Sequence, residues 1–111
     1  MPQQDVPLVA RVCAPCTGET ARVSEKREHE YLKQLPGWRI TGGKLTKTYH
    51  RKDFLDAMRL VNQVAELAER EAHHPDFCVS YADVDFAIST HAIDALSEND
   101  FVLAAKIEAL A

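Results

Sequence analysis

The chain has 111 residues and a mass of 12.4 kDa, the size of one domain. Hydrophobic residues make up 46% and charged residues 27%, a balance that excludes an intrinsically disordered chain. Thirteen Lys and Arg against seventeen Asp and Glu leave a net charge of −4 and a pI near 5.7, so the basic footprint of a nucleic-acid or anionic-membrane binder is missing.

No apolar run approaches the roughly 18 residues that span a bilayer. The start, MPQQDVPLVARVC, has neither a charged segment leading into an apolar core nor the Arg/Ser-rich character of a transit segment. A cytoplasmic location is the expectation, with a nuclear one open.

Residues 1–22 read as an irregular N-terminal arm, and residues 23–111 as one domain. The arm carries Cys13-Ala14-Pro15-Cys16 among Pro2, Pro7 and Gly18. Three cysteines, with Cys78 the third, are too few for a secreted disulfide framework. A structural turn is the first reading of the C-x-x-C, half a metal site the second and a redox pair the third. No second C-x-x-C completes a zinc site, and no strand-to-helix context supports a thioredoxin-like one.

Ser24 is placed to cap a helix whose first turn holds Glu25 and Glu28. Tyr31, Leu32 and Leu35 form its apolar stripe, and Pro36-Gly37 ends it. Trp38–Thr41 and Lys44–Tyr49 are extended runs joined by Gly42-Gly43, a favourable hairpin link. From Asp53 to Ala72 a long helix is expected, with Phe54, Ala57, Met58, Val61, Val64, Ala65 and Ala68 at helical spacing.

Pro75 forces an exit from that helix. Phe77, Val79 and Tyr81 alternate with polar neighbours, as do Val84, Phe86 and Ile88, giving a second hairpin turning at Ala82-Asp83. Ser97 caps a closing helix carrying Phe101, Ala104, Ala105 and Ile107. The order α-β-β-α-β-β-α predicts an α+β fold: a four-stranded antiparallel sheet with helices packed on one face.

The chemistry concentrates near the second hairpin. His73 and His74 end the long helix, and the hairpin returns His91 toward them. Imidazoles near neutral pKa can give and take protons in water. Glu69, four residues before His73, lies on its helical face, where a carboxylate supports an imidazolium. Phe77 or Tyr81 could stack on a flat ligand, and Asp100 could orient a histidine.

Each residue also has a plain structural reading. A histidine at a helix C-terminus is often only a favourable cap, Glu69 can pair with a surface cation, and Asp100 can serve the helix dipole. His29 and His50 read as surface or packing residues. A metal bound by His73, His91 and Glu69 is the weaker functional reading, because adjacent histidines rarely share one ion and no H-E-x-x-H spacing occurs.

Glu69-x3-His73-His74-Pro75-Asp76-Phe77, Tyr81, Ser89-Thr90-His91 and Leu96-Ser97-Glu98-Asn99-Asp100 together resemble the pterin-4a-carbinolamine dehydratases. Pro36-Gly37-Trp38 and Asp53-Phe54-x2-Ala57 extend the likeness over about residues 24–110, and the Cys-x-x-Cys arm is similar to one in some bacterial members. The resemblance implies dehydration of 4a-hydroxytetrahydropterin to quinonoid dihydropterin in tetrahydrobiopterin recycling, without metal or organic cofactor.

It further implies catalytic roles for His73, His74, His91 and Asp100. Pterin contacts would come from Ala72, His73, His74, Pro75, Ser89, Thr90, His91 and Ala92, with Glu69 and Phe77 supporting. Phe77 stands where many members have Trp, Asp76 where Glu is frequent, and Ala92-Ile93-Asp94-Ala95 departs from the usual stretch. Dimers or tetramers are implied too.

Animal members resembling this chain also act as dimerisation cofactors of a homeodomain transcription factor. The alternative function is therefore a non-catalytic protein-binding module using the long helix, where Met58, Val61 and Ala65 could form the contact stripe.

Overall fold

A computed structural model describes residues 6–111 of the chain. Helix α1 (Glu25–Leu32) starts where Arg27 N–H donates to Ser24 Oγ at 3.2 Å, satisfying one of the free amides of the first turn. Strands β1 (Arg39–Thr41) and β2 (Lys44–His50) pair antiparallel around Gly42 and Gly43. Both glycines take positive φ, 59° and 76°, the left-handed conformation a two-residue hairpin link demands.

Helix α2 (Phe54–Glu71) is capped by Asp53, whose side chain accepts from Asp56 N–H. Its 18 residues run roughly 27 Å. Strands β3 (Asp76–Ser80) and β4 (Asp83–Ile88) form the second hairpin, and helix α3 (Glu98–Leu110) closes the chain. The sheet order is β1-β2-β4-β3, antiparallel throughout.

Alternation sets the two faces of the sheet. Leu45, Val84, Phe86 and Ile88 point to the helices and are buried, while Thr46, Thr48 and Asp85 belong to the other face. Leu60, Val64 and Leu67 of α2 and nearly all of the first three turns of α3 complete the core. Glu108 pins α3 to the sheet: its Oε1 accepts from Trp38 Nε1, Lys47 Nζ and the Tyr49 hydroxyl. Burial works against the Glu108 charge, but these donors outweigh it and hold its carboxyl below the usual range.

Two sequence expectations shift. The second hairpin turns at Tyr81-Ala82, one residue earlier than predicted, because Ser80 pairs with Asp83 and Tyr81 takes φ +52°. On α2 the core face runs through Leu60, Val61 and Leu67. Of the expected contact stripe, Val61 is buried, Met58 half-buried and Ala65 exposed, so those three residues form no continuous outward face.

The arm does not stand apart from the domain, although its residues 1–5 lie outside those described. Leu8, in a short 3₁₀ turn (Leu8–Ala10), is fully buried in the common core, and its N–H donates to Gln34 Oε1 at 3.0 Å. Arg11 is 3% exposed, ion-paired with Glu98 at 3.2 Å and seated over the Tyr31 ring. Cys13 N–H donates to Glu71 Oε1 at 2.9 Å, and Ala14 exchanges two hydrogen bonds with the Asn99 amide.

Glu71 also pairs with Lys106 at 3.0 Å. Burial opposes its charge, yet the Cys13 amide and the Lys106 ammonium hold its carboxyl below its ordinary 4.5. A lowered folded-state pKa gives stability that is present above 4.5 and lost as pH falls through the folded value. Glu71→Ala should cost about 1–3 kcal/mol, the penalty for orphaning partly buried donors. It should also speed tryptic cleavage after the buried Arg11 while leaving cleavage after the exposed Arg22 unchanged. An unchanged Arg11 rate would mean that other contacts hold the arm.

Candidate active site

The turn after α2 aims the first two histidines. Ala72 takes a left-handed conformation, φ +54° and ψ +36°, and His73 N–H donates back to the Ala68 carbonyl at 3.2 Å. This sharp stop sends the two imidazoles apart: His73 is 6% exposed, while His74 stands in solvent. His91 comes from the loop after β4, closed by a Thr90–Ala95 bridge. Its side chain is exposed and makes no hydrogen bond within the described residues.

All three histidines border one cleft of about 250 Å³, together with Ala72, Pro75, Ser89 and Ala92. Cys16 and Asp76 complete its wall. A larger depression, about 740 Å³, lies on the outward sheet face, and the chemistry does not favour it. Its His50 is paired with Asp83 at 2.8 Å, and Thr48 donates to Asp85 at 2.5 Å, so these groups are already engaged by surface partners.

Beneath the cleft lies a buried polar network. His73 Nε2 is 2.6 Å from Asp100 Oδ1. Asp100 Oδ2 accepts from Thr90 Oγ1 and from Ser97 N–H, both at 2.8 Å, and its side chain is fully buried. With its single proton given to Asp100, Thr90 must accept from the Ser97 hydroxyl at 2.6 Å. A carboxylate that only accepts fixes the tautomer of its histidine: Nε2 carries the proton toward Asp100, and Nδ1 presents its lone pair on the other side.

Three expectations change here. Glu69 pairs with His74, at 2.5 Å, and not with His73. The left-handed turn at Ala72 takes residue 73 off the helical repeat, so i,i+4 spacing no longer applies. With 78% and 59% exposure, the Glu69–His74 pair is worth about 0–1 kcal/mol at most. Thr90 is completely buried and does not border the cleft; it acts on the site through Asp100. Phe77 packs on Phe86 beside the other depression, and Tyr81 sits 73% exposed at the hairpin tip, so neither offers a stacking surface to the cleft.

Cys16 and Asn99 were not placed at the site by sequence reasoning. Cys16 Sγ lies 3.6 Å from His73 Nδ1 and accepts from Asn99 Nδ2 at 3.0 Å. The C-x-x-C spacing marked the cysteine, but no local periodicity ties an arm to a histidine 57 positions away. Among the described residues no group of three or more His, Cys, Asp or Glu is arranged to hold a metal ion. No helix among them is long and apolar enough to cross a membrane.

A sequence profile described as Pterin 4 alpha carbinolamine dehydratase matches residues 21–110. A protein of Dechloromonas aromatica named "Putative pterin-4-alpha-carbinolamine dehydratase" is 45% identical over 103 residues, 93% of this chain and 92% of that one. A Stenotrophomonas maltophilia protein of the same name is 42% identical, covering 95% of this chain and 92% of its own. A crystal structure described as a transcriptional coactivator/pterin dehydratase from Brucella melitensis superposes with a TM-score of 0.78 at 33% identity, over 82% of this chain and 99% of that one. The profile spans the α-β-β-α-β-β-α order and all three cleft histidines, and the chain belongs to the pterin-4a-carbinolamine dehydratase family.

Proposed function

We propose that the protein dehydrates 4a-hydroxytetrahydropterin to quinonoid dihydropterin and water, by histidine acid–base catalysis, in the recycling of tetrahydrobiopterin. The observation that carries this reading is the meeting of His73, His74 and His91 at one cleft, with His73 locked by a buried carboxylate. Expelling the 4a-hydroxyl requires an acid at the leaving oxygen and a base at a ring nitrogen. No electrons leave the pterin for an acceptor, and no covalent intermediate is needed, so the reaction calls for neither metal nor organic cofactor.

His91, exposed and unengaged, is free to meet either proton-transfer position of a seated pterin. His74 keeps Nδ1 open while Glu69 holds Nε2. His73 is the oriented member, and its support is Asp100. The ring contacts would come from Ala72, Pro75, Ser89 and Ala92 around these histidines.

Stopped-flow absorbance of a 4a-hydroxytetrahydropterin tests the reading. Wild type should speed loss of the hydroxyl, and His50→Ala, altered on the outward sheet face, should match it. A folded wild type that gives no acceleration overturns the proposal.

A second reading, a protein-binding module working through α2, has one observation in its favour. Phe54 and Leu55 at the helix start are 50% and 65% exposed, a pair of large apolar side chains for a second copy or another protein to cover. Light scattering after size exclusion separates the two occupants: a dimer or tetramer that dissociates on Leu55→Glu assigns the patch to self-association.

A further inference from the structure

Both sulfurs of the arm rest on one residue. Cys13 Sγ lies 3.6 Å from the Asn99 carbonyl oxygen, and Asn99 Nδ2 donates to Cys16 Sγ. Their surroundings differ nonetheless. Cys13 packs against the core, where burial, followed by the neighbouring Glu71 carboxylate, pushes its thiol up to about 12. Cys16 stands in the cleft wall, its sulfur facing the lone pair of His73 Nδ1.

A thiol beside an imidazole nitrogen that can take its proton, a carboxylate that orients that imidazole, and an amide N–H on the sulfur are together the parts of an activated cysteine nucleophile. The chain Cys16–His73–Asp100, with Asn99 on the sulfur, supplies all four. Cys78 is exposed on β3 and has none of these contacts, which makes it an internal reference thiol.

We propose that Cys16 is a covalent modification site for small hydroperoxides, with His73 as its base. The Cys16 sulfur attacks the terminal peroxide oxygen and an S–O bond forms as the O–O bond breaks. The thiol proton passes to His73 Nδ1 and then to the departing oxygen, which leaves as water or an alcohol. The peroxide is reduced by two electrons, and Cys16 is oxidised to a sulfenic acid. Cys13 does not follow: burial and the Glu71 carboxylate keep its thiol protonated, so the sulfenic acid stays in the cleft wall. The sulfenic acid alters the cleft wall at His73, so oxidation should also stop pterin turnover; that consequence alone rests on the dehydratase reading.

The experiment exposes the intact protein to hydrogen peroxide, traps sulfenic acid with dimedone and locates oxidised sulfur by peptide mass. Oxidation at Cys16, trapped as the dimedone adduct, should run about 10-fold faster than at Cys78 in the same molecules. Asp100→Asn, which turns the Nδ1 lone pair into an N–H, should bring Cys16 down to the Cys78 rate. Oxidation of Cys16 no faster than Cys78 in wild type overturns the proposal. Turnover is followed in parallel: peroxide should abolish it in wild type and leave Cys16→Ser at its own starting rate. Equal loss in Cys16→Ser overturns the link to the cleft, and the mass measurement stands whether or not the protein turns over a pterin.

Discussion

His91→Ala should lower pterin dehydration by about 10²–10³-fold, the range for removing one acid–base group, while leaving the thermal midpoint within a degree or so of wild type. The two halves of this expectation have separate structural causes. His91 is exposed and bonds to no other side chain, so truncation orphans no buried group and opens no cavity. Its value lies only in what it does to a bound ligand. Stopped-flow turnover and a melting curve on the same preparation check both halves. Turnover within about twofold of wild type, a difference well below the effect of losing an acid–base group, would move the proton transfers to His73 and His74.

Asp100→Asn should have an effect of similar size through a different route. The asparagine oxygen can still accept from Thr90 and Ser97 N–H, which places its NH₂ against His73 Nε2. An amide that donates there forces the imidazole proton onto Nδ1. The lone pair that the wild-type site directs toward the cleft side is lost, and turnover should fall roughly 10²-fold or more, as expected for a positioning carboxylate that sets a tautomer.

Two of the three oxygen contacts survive, so the stability loss should stay near 1–2 kcal/mol. ¹⁵N NMR of the His73 imidazole gives the readout a merely structural role would not move. The protonated nitrogen should change from Nε2 in wild type to Nδ1 in Asp100→Asn. An unchanged tautomer with lost activity would mean that Asp100 acts on the substrate directly.

Much of the fold was legible because local chemistry and the final packing agree. Ser24 and Ser97 cap their helices, Gly42-Gly43 turns the first hairpin, and the alternation through Val84, Phe86 and Ile88 gives the buried face of β4. The site was legible as a set of residues and much less so as a set of pairings. Helical spacing put Glu69 beside His73; one residue in the left-handed region, Ala72, handed that carboxylate to His74 instead. Thr90 carries the polar character of a ligand contact, and only tertiary packing reveals that its hydroxyl is spent on Asp100. Cys16 reaches His73 by an arm with no regular structure near it, and sequence patterning carries no information on such a path.

Helix α3 bears on where a functional fragment of this chain must begin. Asn99 through Ala105, and Ile107, are all buried, so the helix has no apolar stripe opposed to a polar back; it is covered from more than one side. The sheet and α2 cover part of it, and the 3₁₀ turn at Leu8–Ala10 packs against it as well. The family profile begins at residue 21. A polypeptide trimmed to that boundary would retain every histidine of the cleft, yet it would bare part of its central helix to water and strip Cys16 from beside His73. The stretch that identifies the family and the stretch that folds as one body therefore have different beginnings.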